Sequence, residues 1–289
     1  MKAFEYAAPA TLDEAIVLLG EYGDRARLMA GGTDLMQRMQ IGEADVPECI
    51  VSLRNFAALA CINANDDAIT IGALATLREV ERHEQIRERY AVLAEAAASI
   101  GSPQIRNRAT LVGNVCSASP AADGAVALVA LDASVQIVGS DGETEVPIGD
   151  FFIGPRQSCL ETSQIVTAIV LPARTWSGSA YARSGLRRAM DCCVASAAAA
   201  LTVGDDGTIG EVRVALGALA PTPIRVPAAE EALTGQALSE ELLSEVAAAA
   251  SAAAQPISDI RGTAEYRREL AGTLARRAVG TAYERARSS

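Results

Sequence analysis

The 289-residue chain is half apolar but only 4% aromatic, and its formal net charge at pH 7 is −11. This acidity argues against a nucleic-acid partner and against docking on anionic lipid, since both need basic surfaces. No apolar run approaches the roughly 18–20 residues of a membrane span, and the first residues lack the order of a secretory signal, so we expect a cytoplasmic protein.

The first fifty residues predict alternating helices and strands. Thr11–Glu14 has the spacing of a helix capping box, and an apolar helix face follows from Ala15 to Leu19. Gly20 and Gly23 stand where this helix should end. Short strands are predicted at Arg27–Ala30 and Cys49–Leu53, because both are apolar runs of strand length.

The middle of the chain predicts one more strand and two helices before a polar segment. Ala68–Ala73 alternates as a strand does. Thr76–Glu79 is a second capping box and predicts a charged helix that runs to about Arg89. Tyr90–Ser99 predicts another helix. Ile100–Ser119 is polar and contains glycine, so we expect it to lack regular structure.

Composition changes at Ala173–Ser179, which predicts a domain boundary. Beyond it, Val194–Val203 and Ile209–Leu219 are apolar runs joined by Gly204–Gly207, a hairpin signal. From Ala228 onward the composition is helical. Three elements are predicted before the boundary, a helix and two strands, at Ala121–Leu131, Val135–Val138 and Gln164–Leu171. Strands that are segregated from helices indicate an α+β fold.

Two successive glycines follow a predicted strand within Leu28–Leu35 (LMAGGTDL). Glycines let the backbone turn sharply and approach a ligand closely, and successive free N–H groups in such a turn bind anions. With the Thr33 hydroxyl as a further donor, this first loop suits a pyrophosphate. The alternative is an ordinary Gly-Gly turn, which the segment taken alone favours. It contains neither the Rossmann glycine pattern nor a Walker lysine.

A second segment, Ile100–Asp123, is rich in small and polar residues inside an otherwise apolar region. Asp123 could accept two hydrogen bonds from a ribose diol or a flavin side chain. The alternative is a surface loop, but a loop this long without regular structure is uncommon unless it binds something. We therefore favour a binding role. Small residues that could face the ligand are Thr110, Gly113, Asn114, Ser117 and Ser119.

Six stretches, including parts of both segments, occur in a family-specific order: AGGTDL at Ala30–Leu35, TIGALATLREVE at Thr70–Glu81, IRNRATLVGNVCSASPAADG at Ile105–Gly124, FFIGPR at Phe151–Arg156, QIVTAIVLP at Gln164–Pro172 and YARSGLRRAMD at Tyr181–Asp191. On these stretches the sequence resembles the FAD-binding subunits of the xanthine dehydrogenase and carbon monoxide dehydrogenase family. It also resembles the FAD domain of the single-chain eukaryotic relatives. The resemblance covers nearly the whole chain.

The resemblance implies an α+β architecture of the PCMH type, in which two subdomains clasp FAD. Residues 1–56 and 57–174 would be the two FAD-binding subdomains. Residues 175–289 would form a C-terminal domain of the carbon monoxide dehydrogenase flavoprotein type. That domain would contain a three-stranded antiparallel sheet and helices.

The resemblance also implies roles for individual residues. Ile100 would contact the flavin region, and Ile165 would make a backbone contact. Ser117 and Asp123 would hold the polar chain of the cofactor, while Tyr181 and Arg183 would lie near the isoalloxazine. The pyrophosphate would be held by Leu28, Met29, Ala30, Gly31, Gly32, Thr33, Asp34 and Leu35. The second glycine-containing loop against FAD would consist of Thr110, Leu111, Val112, Gly113 and Asn114.

The chain departs from the family pattern at two places. Val112 stands where relatives often have a glycine, and its Cβ disfavours a positive φ, so we expect the approach to FAD to differ there. The cysteine-rich insert of one reductase branch is absent, and we expect no iron–sulfur cluster in this chain. The six cysteines show no ligand spacing and predict reduced thiols without a metal site: Cys49, Cys61, Cys116, Cys159, Cys192 and Cys193.

No catalytic acid, base or nucleophile is predicted. The lone histidine, His83, lies in a charged helix and is interpreted as a surface residue. The leading hypothesis, which the resemblance implies, is an oxidoreductase subunit that passes electrons. Electrons from a molybdopterin-type molybdenum cofactor in a large partner would pass through two [2Fe–2S] clusters of a small partner to FAD. They would then reach NAD⁺, oxygen or another acceptor, in a dimer of heterotrimers.

Two alternatives stay open at this point. A free-standing FAD-dependent oxidase or dehydrogenase would need acid–base residues above the flavin, and the sequence offers no convincing set. A non-enzymatic binding module would treat both glycine-containing segments as mere turns. The sequence identifies neither the hydroxylated substrate nor the electron acceptor.

Overall fold

Three larger β-sheets succeed one another along the chain in the computed structural model, which describes residues 2–65, 68–173 and 176–288, and a fourth sheet has only two short strands. The first sheet has three parallel strands in the order β1-β3-β2. Parallel strands need crossover connections, which here contain helices. The elements are β1 Glu5–Ala7, α1 Leu12–Tyr22, β2 Ala26–Met29, α2 Leu35–Ile41 and β3 Cys49–Ser52.

Helix α1 begins and ends at residues that the sequence marks. The Thr11 hydroxyl accepts a hydrogen bond from the backbone N–H of Glu14 at 3.2 Å, which confirms the predicted N-cap. The Glu14 carboxylate accepts from the N–H of Ala10 rather than from that of Thr11. Gly23, with φ +56°, ends the helix because this backbone conformation carries no Cβ penalty in glycine. Gly20 lies inside the helix, so the prediction of a helix end there was wrong.

The second sheet has five antiparallel strands in the order β4-β5-β10-β6-β7. Apolar side chains from this sheet and from two helices, α5 and α8, form one buried core. The strands and helices of this part are β4 Ile62–Ala64, β5 Ala68–Gly72, α3 Leu77–Arg82, α4 Glu84–Arg89, α5 Ala91–Ser99, α6 Pro103–Arg106, α7 Leu111–Cys116, α8 Asp123–Ala130, β6 Ser134–Gly139, β7 Gly142–Pro147, α9 Ile148–Phe151, β8 Phe152–Gly154, β9 Gln157–Ser158 and β10 Ile165–Pro172.

The charged helix predicted from Thr76 to about Arg89 is broken at His83, so the prediction of one continuous helix was wrong. The Thr76–Glu79 capping box is present. His83 is extended, with φ −64° and ψ 123°, and separates α3 from α4. In an unbroken helix Leu77 and Ile86 would lie on opposite faces. The break lets both side chains be fully buried.

The third sheet has three long antiparallel strands and a two-residue edge strand, in the order β11-β12-β13-β14. This arrangement, together with the preceding parts, confirms the α+β fold class. Gly204–Gly207 forms the predicted hairpin turn between β12 and β13. The elements are β11 Gly178–Gly185, β12 Cys193–Val203, β13 Ile209–Gly217, β14 Ile224–Arg225, α10 Pro227–Leu233, α11 Glu240–Ala253 and α12 Ala264–Ser288.

Strand β12 is buried on both faces, which explains its alanine-rich sequence. Ala198 and Ala200 point into the core that contains α8, whereas Ala197 and Ala199 point into the core beneath α11 and α12. Successive side chains of a strand point to opposite faces, so small residues on both faces let helices approach from both sides. The third sheet is thereby packed directly against the second part of the chain.

A charged cluster joins the same two parts of the chain. Asp132 accepts hydrogen bonds from Arg213 at 2.8 Å and from Arg225 at 3.1 Å. Arg225 also donates to Glu230, whose carboxylate accepts from the buried N–H of Val214.

Among the residues that the structure describes, no helix is both long enough and apolar enough to cross a membrane.

Candidate functional site

The first glycine loop connects β2 to α2. Leu28 and Met29 end the strand, Ala30, Gly31, Gly32, Thr33 and Asp34 form the turn, and Leu35 is the first residue of the helix. Gly32 has φ +74°, a conformation that favours glycine. All eight predicted residues are therefore contiguous in one strand–turn–helix connection, with Asp34 exposed and the others partly buried.

Gly31 lies directly on the backbone of the second predicted segment. A Cβ at Gly31 would lie 2.1 Å from the carbonyl oxygen of Arg108 and 3.0 Å from the Cα of Ala109. Only glycine allows this approach. The two segments that the sequence singles out separately are thus in contact.

Backbone donors in the first loop are available for a ligand. No hydrogen bond between described residues uses the N–H groups of Gly31, Gly32 or Thr33, whereas the Gly32 carbonyl accepts from Met36. The Thr33 hydroxyl makes no such bond either. Backbone polar groups in folded proteins are nearly always paired, and neighbouring amides in a turn suit an anion. This loop can therefore hold a phosphate-bearing group.

The second segment is not the irregular loop that was expected, since α6 and α7 lie within it. Ser102 caps α6 ahead of Pro103, and Thr110 caps α7 by accepting from the N–H of Gly113 at 3.0 Å. A capping residue followed by proline is a helix-start signal, and it could have identified α6. Ala109 and Leu111 also pair with the backbone of Ala75–Leu77.

Helix α7 determines which side chains of this segment can face a ligand. Leu111 and Val112 are buried in the core, and Thr110 is buried as the cap. Gly113 is exposed and Asn114 is half-buried. Val112 is helical and is not among the non-glycine residues with positive φ. The position therefore requires no positive φ, so the premise of a conformational conflict at Val112 is wrong. The effect of its Cβ on the approach to FAD stays a prediction.

Asn114 links the second segment to α8. Its Oδ1 is buried and has no hydrogen-bond partner among the described residues. A Cβ at Gly124 would lie 2.8 Å from this oxygen, so the absence of a side chain at Gly124 makes room for it. The Ser117 hydroxyl donates to the Asn114 carbonyl at 2.7 Å. A buried acceptor without a donor fits a site that takes up a ligand with N–H or O–H groups.

Ile100, at the end of α5, is held in place by a buried arginine. Arg106 donates to the Ile100 carbonyl at 3.0 Å and to the Glu81 carboxylate at 2.8 Å. Glu81 also accepts from Arg78 at 2.8 Å. Burial alone would raise the pKa of Glu81, but the two arginines together outweigh burial and lower that pKa. The ion pair between Arg106 and Glu81 therefore holds the backbone at the start of the second segment in place.

We expect Glu81→Gln to lower the free energy of unfolding at pH 7 by about 2 kcal/mol, because it leaves Arg106 buried without its counter-charge. The Glu81 pKa is lowered in the folded state, so its contribution is present above the unfolded value of 4.5 and is lost as pH falls through the folded value. Urea unfolding of wild type and variant should therefore give free energies that converge as the pH falls from 4.5 through the folded value.

Glu48→Gln is the matched control, because the Arg25–Glu48 pair is more than half exposed on both sides. Such pairs contribute about 0–1 kcal/mol. A constant difference between Glu81→Gln and wild type from pH 7 to pH 3 would contradict the assignment.

Asp123, Tyr181 and Arg183 meet in a buried cluster. The Tyr181 hydroxyl donates to Asp123 at 2.5 Å, and Arg183 Nε lies 3.2 Å from the same carboxylate oxygen. Arg183 also donates to Asp191 at 3.2 Å. Burial raises the pKa of Asp123, and Arg183 and Tyr181 offset part of that effect. Burial raises the pKa of Tyr181 as well, so its hydroxyl remains a donor.

Most of the predicted site residues are thus linked to one another, either through contacts or as neighbours in the chain. Gly31 contacts the Arg108–Ala109 backbone, Asn114 contacts Gly124, and Asp123 contacts Tyr181 and Arg183. Ile165 is the first residue of β10, and its buried side chain belongs to the core under the first sheet. Only its backbone could reach a ligand. Leu111 and Val112 likewise point into the core.

The structure adds two residues to this region, Asp191 and Arg156, that the sequence did not predict as site residues. Asp191 accepts hydrogen bonds from Arg183 and so holds it in place together with Asp123. Arg156 donates its backbone N–H to Ala118 at 2.8 Å, and its side chain lies 3.8 Å from the Asp34 carboxylate. Arg156 therefore links the first loop to the end of α7. Its Gly-Pro-Arg turn was a signal, but the side chain's reach to Asp34 depends on tertiary structure.

These residues fit FAD. The unengaged amides suit its phosphates, while Asn114 Oδ1 and Asp123 can accept from its polar chain. His83 lies at the junction of α3 and α4, outside this set. Within residues 2–65, 68–173 and 176–288, no group of three or more His, Cys, Asp or Glu side chains is placed to hold a metal ion.

Comparisons with known proteins agree with this geometry. Residues 2–174 match the family described as FAD binding domain in molybdopterin dehydrogenase, and residues 179–282 match the CO dehydrogenase flavoprotein C-terminal domain. The carbon monoxide dehydrogenase medium chain of Hydrogenophaga pseudoflava is 32% identical over 98% of both chains. The xanthine dehydrogenase FAD-binding subunit of Escherichia coli O157:H7 is 34% identical over 96% of this chain and 95% of the relative.

Solved structures are similar to the same extent. A carbon monoxide dehydrogenase from Hydrogenophaga pseudoflava that lacks the Mo-pyranopterin moiety of its molybdenum cofactor contains a chain with a TM-score of 0.94 to this one. The two chains are 33% identical, and the match covers 98% of each. Sequence and structure comparisons therefore cover the first loop, the second segment and the Asp123 cluster together.

Proposed function

The chain belongs to the family of FAD-binding subunits of molybdopterin dehydrogenases, and we propose that it passes electrons within a heteromeric molybdenum hydroxylase. It accepts them from [2Fe–2S] clusters of a small partner and delivers them through FAD to an external acceptor such as NAD⁺ or oxygen. The observation that carries the proposal is the contact of Gly31 with the Arg108–Ala109 backbone. It joins two donor-rich segments into one dinucleotide cradle.

The residues of this chain bind and orient the cofactor in the proposed role. Bound FAD supplies the electron-transfer chemistry, as cofactors do in such enzymes. The N–H groups of Gly31, Gly32 and Thr33 hold the phosphates. Asn114 and Asp123 accept hydrogen bonds from the polar chain. Tyr181 and Arg183 hold Asp123 in place and keep a fixed positive charge beside it.

The remaining site residues and the domain division are part of the same proposal. Ile100, Ser117 and the backbone at Ile165 complete the flavin surroundings. Residues 1–56 and 57–174 serve as the two FAD-binding subdomains, and residues 175–289 as the C-terminal domain. The names of relatives as medium chains support a large molybdenum subunit and a small iron–sulfur subunit as partners. We place the assembly, a dimer of heterotrimers, in the cytoplasm.

We expect purified chain reconstituted with FAD to retain the flavin through gel filtration, with its yellow absorbance and about one flavin per chain. Asn114→Ala is expected to weaken retention, because it removes a buried acceptor. Gly20→Ala is the matched control, since a Cβ at Gly20 meets nothing within 4 Å. Co-expression with the partner chains should yield a stable complex.

The outcomes distinguish the alternatives. A chain without flavin absorbance after reconstitution would overturn the proposal. Substrate turnover by the isolated chain would favour a free-standing flavin dehydrogenase. Undiminished FAD binding by both Asn114→Ala and Gly32→Val would favour a binding module in which the glycine segments are only turns.

A further inference from the structure

Two arginines flank the Asp34 carboxylate at the first loop. Arg38, from α2, has its Nη1 3.7 Å from the carboxylate oxygen, and Arg156, from the turn between β8 and β9, has its Nη1 3.8 Å away. Both separations exceed hydrogen-bond length. Asp34 therefore attracts both guanidinium groups to the loop, but it accepts no hydrogen bond from either of them.

The N–H groups of both guanidinium groups are available to donate hydrogen bonds to a ligand. No hydrogen bond to a described residue involves either side chain, and Arg38 Nε is buried without a partner. Each guanidinium carries five N–H donors. One carboxylate between two guanidinium groups leaves one net positive charge, on a chain whose formal net charge is −11. The surplus suits a ligand with several acceptor oxygens and more than one negative charge.

Arg156 is held in an uncommon conformation that fixes where its side chain starts. Its φ is +58°, and Ala118, which accepts its N–H at 2.8 Å, has a φ of +44°. Non-glycine residues rarely adopt this region, and they persist there when surrounding contacts hold them. Arg156 is thus anchored to the end of α7 while its guanidinium reaches the first loop.

We propose that Arg156, with Arg38 as a second cation, binds the diphosphate of the dinucleotide that the first loop holds. This inference rests on the proposed function, because it concerns the same cofactor. The planar guanidinium matches two phosphate oxygens at once. The backbone amides of Gly31–Thr33 approach the phosphates from the loop, and the two arginines neutralise their charge. Arg156 thereby selects ligands that carry a diphosphate over riboflavin, which carries no phosphate.

The test compares dissociation constants of FAD, ADP and riboflavin for the full-length chain, measured by calorimetry and flavin fluorescence. Arg156→Ala is expected to raise the FAD and ADP constants roughly tenfold, as for the loss of one charge-assisted pair. The riboflavin constant should not change. Arg25→Ala is the matched control, because Arg25 is an exposed arginine paired with Glu48 beside the first sheet. All three constants should stay at the wild-type value in that variant.

Arg156→Lys keeps the charge but loses the planar fork, so an increase of about threefold for FAD and ADP is expected. This variant decides the matter if thermal melting shows that Arg156→Ala does not fold. Unchanged FAD and ADP constants in the folded variants would overturn the inference, and so would an equal increase for riboflavin. Failure of wild type to bind FAD would instead overturn the proposed function, whereas ADP binding that weakens in Arg156→Ala would still support a diphosphate site.

Discussion

Replacing Gly31 with alanine is expected to weaken FAD binding roughly a hundredfold and to lower the free energy of unfolding by about 1–3 kcal/mol. The new Cβ would lie 2.1 Å from the Arg108 carbonyl oxygen and 2.9 Å from its carbonyl carbon. Both are backbone atoms, so no side-chain rotation can relieve the contact. The first loop must move away from the second segment, and its backbone N–H groups are then no longer oriented toward the phosphates.

Two measurements test this expectation: FAD titration followed by fluorescence and urea unfolding without FAD. Gly20→Ala, in α1, adds the same methyl group where nothing lies within 4 Å. Because alanine is favoured over glycine in a helix interior by about 0.5–1 kcal/mol, the control should be slightly stabilised and should bind FAD normally. A Gly31→Ala chain with wild-type FAD affinity would refute the idea that contact between the two segments builds the cradle.

Replacing Asp123 with alanine is expected to lower the free energy of unfolding by about 3 kcal/mol. Arg183 would keep only Asp191 as a partner, and the buried Tyr181 hydroxyl would lose its acceptor. Tyr181 and Arg183 belong to β11, whereas Asp123 begins α8. The variant should therefore also loosen the junction between the third sheet and the candidate flavin site, and FAD affinity should fall with stability.

Asp123→Asn separates the charge from the hydrogen bond. The amide still offers an oxygen to Tyr181 but no charge to Arg183, so a smaller loss of about 1–2 kcal/mol is expected. Asp141→Ala is the control, since Asp141 is exposed in the turn between β6 and β7, where substitutions usually change stability by less than about 0.5 kcal/mol. Equal stability of Asp123→Ala and Asp141→Ala would show that the cluster contributes nothing to the fold.

Local sequence signals were reliable where the governing interaction spans only a few residues. The Thr11 and Thr76 caps are present because a hydroxyl and an N–H three residues later meet within one helical turn. The hairpin at Gly204–Gly207 follows from turn residues between two apolar runs. The alanine-rich β12 was predicted from the hairpin signal that follows it, since alanine itself favours helices. The reason for alanine on both of its faces lies in the helices packed against it.

Local signals failed where packing between distant elements decided the conformation. The charge pattern from Thr76 to Arg89 favours one helix, but burying both Leu77 and Ile86 requires the break at His83. The segment after Ile100 is polar and was expected to be irregular, yet the Ser102 and Thr110 caps start two helices in it. Hydrogen bonds from Leu77 to Ala109 and from Leu111 to Ala75 hold its backbone. Val112 then needs no glycine-like conformation.

The sequence by itself determined the fold class, the family and the two segments that form the candidate site, because these depend on residue types at short, ordered spacings. Only the tertiary structure decided how the segments combine. Asp123 and Tyr181 are 58 residues apart, and their hydrogen bond depends on how α8 packs against β11. The reach of Arg156 to Asp34 and the contact of Gly31 with Arg108 likewise arise from packing between elements. Such contacts leave no pattern in the sequence near either residue, because the packing of the whole fold determines which distant residue each side chain meets.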